Sequence, residues 1–567
     1  MMMDYTSKDL DELYDKFKIV LNKNPNENYI ETSNDLIENN ILSIFEYKKV
    51  YFYKYINWED EKMGRSYLRR LNGHEFLGDL IEAYRETKED KYLRVGLKLV
   101  YQWIDRYEDE YDLECRNKYA YHDETTALRM NYWLHFILSC YNLLGFKDLE
   151  RFIFNISKTA ELLSNEKFHN KNTNHGMYQD LSLLLYSQIF NVDSKSKFYE
   201  ELAKNRLKKY FDFVFVEGVH KEHTPFYHYE VSKSLKLYSI VMKNIDNDFS
   251  TYLYQKYEST LRFSYQILKP DGCFPEIGDN VAKKVIDSYK DLYNDKYFDY
   301  AITSGKNGLT PKEDSVVFKG AGYAIFRDSW EKGKDSLYIL FSAAYNSSYH
   351  KHCDDLSVLI YKGKNIFVES GFNGYEYKDK FTKYAYSSFA HNTLIIDNKS
   401  IKLRGFLNRE NKNNNIKQFE DTSEIYDDVY IESYSIKEDK DMVLGVNNRY
   451  KDLIHKRKLE YDRINSKVEI KDYIISEYEH TYKILWNLDK NIKIKYDDGI
   501  YLYDKDRIIC KICIKTSKNF RINEYLGDEE NMRGWYFDSP RNIQKRITLE
   551  VETKGTSVEV DTIIIFY

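Results

Sequence analysis

Four segments gather polar side chains of chemical use inside otherwise apolar patterning. In NTNHGMYQD, Asn174, His175 and Gly176 stand directly before an apolar helical run through Met177, Leu181 and Leu184. An amide and an imidazole at a helix start can hold an anion, because unpaired backbone N–H groups and the helix dipole point there too. The plain alternative is that Asn174 only caps the helix. EGVHKEHTPFYHYEV packs His220, Glu222, His223, Tyr227, His228 and Tyr229 closely together. Such a cluster suits a metal site, an acid–base site, or a helix start with Thr224 as cap and Pro225 as first helical residue. Tyr227 and His228 are best placed to project from that first turn, and His220 and His223 have the weakest claim to catalysis. YHKHCDDLSVLIY leads His350, His352, Asp354 and Asp355 into a strand. In an extended His-x-His both imidazoles share a face, which suits a metal or a substrate anion. In AHNTLIID, His391 also precedes a strand, where the bland reading is a structural hydrogen bond.

The elements that must position these groups change character near residue 310. Before it, Leu77, Leu80, Ile81 and Tyr84 repeat at helical spacing, and Tyr92, Val95, Leu99 and Trp103 continue on a second segment. Further amphipathic stretches at 125–143, 150–163, 176–190, 196–215, 230–245 and 250–267 predict many antiparallel helices in series, a toroid or solenoid without a fixed-period repeat. After it the period becomes two. DSLYILFSA, LSVLIYKGKNIFVES, HNTLIIDN, KVEIKDYI, IKIKYDDGIYLY, RIICKICIK and SVEVDTIIIFY predict an antiparallel sandwich, with a hairpin turning at Lys362–Asn365. The Gly- and Asn-containing SGKNG at 304–308 is the expected linker, giving domains 1–308 and 309–567.

At 567 residues the chain is about four times a ~150-residue domain, so one to three large domains are expected. Hydrophobic residues make up 42% and charged residues 31%, which excludes the composition of a disordered chain. Against 91 Asp and Glu, 85 Lys and Arg leave a net charge of −6. No global cationic field therefore draws the chain to nucleic acid or a membrane surface. Six cysteines (Cys115, Cys140, Cys273, Cys353, Cys510, Cys513) are too few for a disulfide scaffold. The lone CxxC of Cys510 and Cys513 has no second pair at zinc-ribbon spacing and reads as strand. The amino terminus shows no basic region followed by an apolar one, and no segment reaches the ~18 apolar residues of a membrane span. A cytoplasmic location is the expectation. The 55 tyrosines beside 6 prolines fit an AT-rich coding bias, although tyrosine also suits stacking on sugars.

Taken together, the segments resemble the heparinase II/III family of polysaccharide lyases, over both halves of the chain. YHKHCDDLSVLIYKGKNIFVESGFNGY followed by FAHNTLIIDN is similar to the family's His-x-His-x-Asp strand, hairpin and His-Asn-Thr signature. NHGMYQDL and EHTPFYH are similar to its Asn-His-Gly and Tyr-His motifs, and HDETTALRMNYW and PDGCFPEIGD, with His122, Arg129 and Asp279, also resemble family segments. The order and separation of these motifs carry the match. It implies an incomplete (α/α) toroid followed by an antiparallel β-sandwich, a substrate cleft between them, and β-elimination on a uronic-acid polysaccharide.

That chemistry wants these residue types. The C5 proton of a uronate is barely acidic until the neighbouring carboxylate is neutralised or hydrogen-bonded. By similarity to the family, Asn174 and His175 bind that carboxylate, Tyr227 transfers the proton to the leaving oxygen, and His350 is the base or a partner in carboxylate binding. His122, Arg129 and Tyr229 are expected to contact substrate, as are Arg65, Arg69 and Arg70 unless those three form a solvated helix face. The resemblance also implies one structural zinc ion at His352, Glu369 and His391, with no organic cofactor. Here the carboxylate is Glu369 where the family usually has Asp. The expected partner is an acidic polysaccharide or oligosaccharide. The alternatives are a uronate C5-epimerase using the same groups, and a non-catalytic carbohydrate-binding or capsule-assembly protein.

Overall fold

A computed structural model describes residues 7–21, 26–44, 47–111, 117–191, 194–347, 349–403 and 427–567; Cys115 and residues 1–6 lie outside the described residues. Helices dominate as far as Lys296–Ile302, and strands dominate from Val316–Phe318 onward. The chain divides into two compact units, residues 1–213 with 234–254, and residues 214–233 with 255–567. Residues 255–302 are thus largely helical yet belong to the unit that holds the sheets.

In the first unit the helices Asp123–Cys140, Phe146–Ser164 and Asn174–Ile189 begin a few residues ahead of the apolar periodicity. Their first turns carry polar residues such as Asp123 and Glu124, which favour the positive end of the helix dipole but add nothing to the apolar stripe. Trp103, Trp133 and His74 pack together in the core, the Trp133 indole donating to His74 Nδ1 at 3.0 Å. Arg129 lies in this core. Fully buried, it donates to the carbonyls of Asn72 at 2.9 Å and Ala120 at 2.6 Å, with its guanidinium 4.0 Å from the Trp103 ring centroid. The expected substrate contact is corrected: Arg129 ties its own helix to the end of the helix Arg65–Asn72 and to the turn at Ala120, and its burial pushes its pKa down to about 10.

In the second unit, five antiparallel strands run in order Val316–Phe318, Tyr323–Arg327, Leu337–Ser342, Ser357–Lys362 and Asn365–Phe367. The last two form the expected hairpin, where Gly363 adopts a φ of +65°. A ten-stranded antiparallel sheet is built on two long paired strands, Lys467–Asn487 and Ile547–Phe566. Phe341, Val358 and Ile360 from the smaller sheet share one buried cluster with Val443, Ile470, Trp486 and Ile564 from the larger. A Cβ on Gly445 would come 2.6 Å from the Phe341 ring, so glycine there permits the sheets' close approach. Within this core, Arg457 makes a two-pronged ion pair with Asp472 and donates to the carbonyls of Leu356 and Asn392. Cys510 and Cys513 lie on the strand Arg507–Thr516 as ordinary strand residues. Among the described residues no helix is long and apolar enough to cross a membrane.

Candidate active site

The first group of candidates belongs to the first unit, at the starts of two helices. His122 is extended (φ −68°, ψ 143°) ahead of the helix Asp123–Cys140. The Asp123 carboxylate lies 2.8 Å from His122 Nδ1, 3.0 Å from His175 Nδ1, and accepts from Asn170 Nδ2 at 2.7 Å. Thr173, and not Asn174, caps the helix Asn174–Ile189: its hydroxyl accepts from Gly176 N at 3.2 Å. Asn174 is the first helical residue and is buried. Gly176 is required by proximity, since a Cβ there would stand 2.2 Å from the Asn170 carbonyl oxygen. His175 Nε2 lies 3.5 Å from Glu124, which also pairs with Arg69.

Burial alone would raise the Asp123 carboxyl, but the charges of His175 and His122 overcome it and hold it well below the usual carboxylate range. Burial lowers both imidazoles. For His175, Glu124 and Asp123 more than offset it and the pKa is raised, whereas for His122 burial prevails and the pKa is lowered. Ligand atoms of His122, Glu124 and His175 lie within 4.8 Å of one another, as a divalent ion requires, but the Arg69 guanidinium already supplies a cation to Glu124. Arg70 pairs with Glu75.

The second group lies in the second unit. Pro225 opens a helix as expected, and Tyr227 in its first turn stacks on His350 with ring centroids 4.0 Å apart and planes 23° apart. Tyr375, whose pKa burial raises well above its ordinary value, lies close enough to Tyr227 for that hydroxyl to add to the rise. Glu222 lies 3.4 Å from His350 Nε2, and Asp279 lies 2.6 Å from His350 Nδ1. Asp279 further contacts His352 Nε2 at 3.0 Å and accepts from the Tyr386 hydroxyl at 2.7 Å. Burial would raise the Asp279 carboxyl, yet its bonds to His350 and His352 hold it well below its ordinary value. His350 and His352 do reach one side, as the His-x-His spacing predicts, but the segment is not a strand: His350 has a φ of +52°.

Two residues expected at the surface of this group are core residues. Tyr229 is fully buried, donates to the Ser264 carbonyl at 2.6 Å and packs on Phe274 and Tyr289, so its assignment to substrate is corrected. His228 points inward likewise, with Nε2 2.9 Å from Ser264 Oγ, because the helix turns positions 228 and 229 toward the apolar side that 227 avoids. His223 is structural. Burial and the nearby Lys351 push it down to about 3, and its neutral Nε2 accepts from the backbone N–H groups of Asn346 and Ser347.

The expected zinc set does not gather as three converging ligands. His391 Nδ1 bonds directly to Glu369, whose other oxygen accepts from Ser357, while His352 Nε2 is held by Asp279. His391 Nε2 is buried without a hydrogen-bond partner, and the ring centroids of His391 and His352 are 5.3 Å apart. Sequence reasoning missed Asp123 and Tyr386. Asp123 was detectable as the acid beside His122 at a helix start, whereas nothing marks Tyr386 among so many tyrosines.

Comparison with known proteins matches residues 6–300 to the model described as "Heparinase II/III N-terminus" and residues 310–565 to "Heparinase II/III-like, C-terminal". A heparin-sulfate lyase of Bacteroides thetaiotaomicron is 22% identical over 387 residues, 61% of this chain and 54% of that protein. One from Pedobacter heparinus is 25% identical over 201 residues, 33% of this chain and 30% of that protein. The matched regions thus span about half, or less, of those relatives. The solved structure described as heparinase III superposes with a TM-score of 0.79 at 16% identity, covering 100% of this chain and 92% of the other. A chondroitin AC lyase of Streptomyces coelicolor gives 0.57 at 10% identity, covering 99% and 83%. These likenesses establish the fold, a helical toroid followed by a β-sandwich.

Proposed function

The chain belongs to the heparinase II/III family, and from that premise we propose that it is a polysaccharide lyase that cleaves a uronic-acid-containing, glycosaminoglycan-like polysaccharide by β-elimination. The observation that carries the reading is the stacking of Tyr227 on His350 with carboxylates beside both ring nitrogens of the histidine. A phenol and an imidazole in contact form an acid–base couple. The tyrosine, with a reference pKa near 10, has a proton to give a departing glycosidic oxygen at neutral pH. His350 is assigned the C5 proton or the substrate carboxylate.

To Asn174 and His175 we assign the uronate carboxylate. What supports this is the raised pKa of His175, which favours a cationic imidazole for an anionic group, and its place at a helix start. His122 stays on the list of substrate contacts as a half-buried neighbour of His175, 5.6 Å between ring centroids. The names of the relatives make heparan and chondroitin sulfates the first substrates to try. Incubating the protein with a panel of uronate polysaccharides and following ultraviolet absorbance tests the proposal. Absorbing, shortened product is expected from at least one glycosaminoglycan, and chain shortening without absorbance would defeat it.

A structural zinc ion is a separate proposal. It is supported by the buried, unsatisfied Nε2 of His391 and the nearby His352. Glu369 is at present spent on His391 Nδ1, the arrangement in which a carboxylate orients a ligand histidine from behind. Elemental analysis of protein purified without chelator should find about one zinc per chain, and strong chelation should lower Tm. Metal-free protein of unchanged Tm would return the cluster to hydrogen bonding.

A further inference from the structure

Asp279 is the point at which the second unit's candidate groups converge. One buried carboxylate meets His350 Nδ1 at 2.6 Å, His352 Nε2 at 3.0 Å and the Tyr386 hydroxyl at 2.7 Å. An ionised carboxylate only accepts, so each of these contacts requires a proton on the partner atom. For a neutral imidazole this fixes the tautomer: His350 carries its hydrogen on Nδ1, and its Nε2 faces away from Asp279 toward Glu222 at 3.4 Å.

The backbone is shaped for this approach. Gly278 sits in the left-handed region at φ +58°, and a Cβ there would stand 2.5 Å from the His223 carbonyl oxygen and 2.8 Å from that of His350. His223 and His350 are themselves non-glycine residues in the left-handed region, at φ +59° and +52°. Such residues are uncommon, and they persist where surrounding contacts over-determine them. His223 Nε2 ties its own turn to residues 346 and 347, and Lys351 is drawn to Asp354 and Asp355, away from the two histidines that flank it. Residues 222–227, 278–279, 346–347 and 349–352 are thus gathered about one carboxylate.

We propose that Asp279 is the positioning residue of this site, holding His350 through a proton on Nδ1 and so fixing the ring against Tyr227 with Nε2 turned toward Glu222. The role deepens the lyase reading and rests on it for its kinetic consequence. Asp279→Asn keeps the size but exchanges one of the two accepting oxygens for a donating NH2 group, so at least one of the three donors meets N–H in place of an acceptor. With the full chain and an accepted uronate substrate, kcat should fall at least ~100-fold while KM stays within about 3-fold, the split expected when a proton-transfer group is misaligned and binding is untouched. Asp279→Glu should recover part of that loss, and Tyr386→Phe, which removes one donor, should cost far less. Retention of near-normal kcat by Asp279→Asn overturns the proposal, as does a loss confined to KM.

A second measurement needs no turnover and reads the wild-type protein. Nitrogen-15 NMR of histidine-labelled wild-type protein, with the His350 signal identified by its absence in His350→Gln, should show a proton on Nδ1 of His350. A neutral His350 protonated on Nε2 overturns the proposal whatever the kinetics. If the wild type degrades no uronate polysaccharide, the lyase reading fails, and the NMR result alone decides the role of Asp279.

Discussion

At the scale of single residues, the proposed mechanism depends on one hydroxyl. Tyr227→Phe keeps the ring stacked on His350 and removes only the hydroxyl, so binding should persist while kcat falls at least ~100-fold. Near-normal turnover would move the proton to the neighbouring Tyr375. His175 gives a pH dependence whose sign is set by its raised pKa. A group raised on folding is charged in the native state to higher pH than in the unfolded chain. Its contribution is fully present below about 6.5, the reference value, and is lost as pH rises through the folded value. If the imidazolium holds the uronate carboxylate, KM should climb over that alkaline range, and Asp123→Asn should move the climb to lower pH. A KM flat with pH would remove His175 from carboxylate binding. What the sequence does mark is the rarer type: His122, His175 and His350, among 13 histidines in the chain, are each set beside carboxylates in the structure. Arg129 and Tyr229 were misread because an Arg or Tyr inside a motif looks the same whether its polar atom meets a substrate or a buried carbonyl.

At the scale of elements, the period of the apolar residues located the long helices between Phe76 and Gln266 and strands such as Leu337–Ser342, Lys467–Asn487 and Ile547–Phe566, because burial of one face is what selects a period of 3.6 or of two, but it passed over the helices Ser7–Phe17 and Tyr29–Asn39 and the strands Val429–Ile436, Lys440–Asn447 and Leu453–Asp462. It failed at helix starts, where capping and charge replace hydrophobicity. Asn174 was a reasonable cap by type, but Thr173 takes that place, since its short hydroxyl reaches Gly176 N from an extended backbone at φ −128°. Equally hidden were the buried polar anchors. Arg457 joins Asp472 on the neighbouring strand to the carbonyls of Leu356 and Asn392, and so fixes the segments that lead from the His-x-His and His-Asn-Thr motifs. Removing it by Arg457→Ala leaves Asp472 buried without its cation, which should cost about 3–5 kcal/mol. Urea unfolding of the variant measures this, and a loss below about 1 kcal/mol would show that the sheet holds these segments without the ion pair.

At the scale of the molecule, the family fold and the chemistry of its groups make elimination the central claim. Hydrolysis by the usual route needs two carboxylates flanking the scissile bond with room for substrate or water between them. The two carboxylates here, Glu222 and Asp279, are buried and turned to the two nitrogens of His350, so they serve the imidazole. No alternation of apolar residues could have revealed that pairing, since the partners are separated by more than fifty positions of sequence and meet only through the fold. The measurement that decides the claim degrades an accepted uronate oligomer in heavy-oxygen water and weighs the fragments. Elimination predicts one fragment with a C4–C5 double bond and no solvent oxygen in either. Fragments carrying solvent oxygen, or an epimerised chain of unchanged length, would contradict the account even if every residue assigned here proved essential.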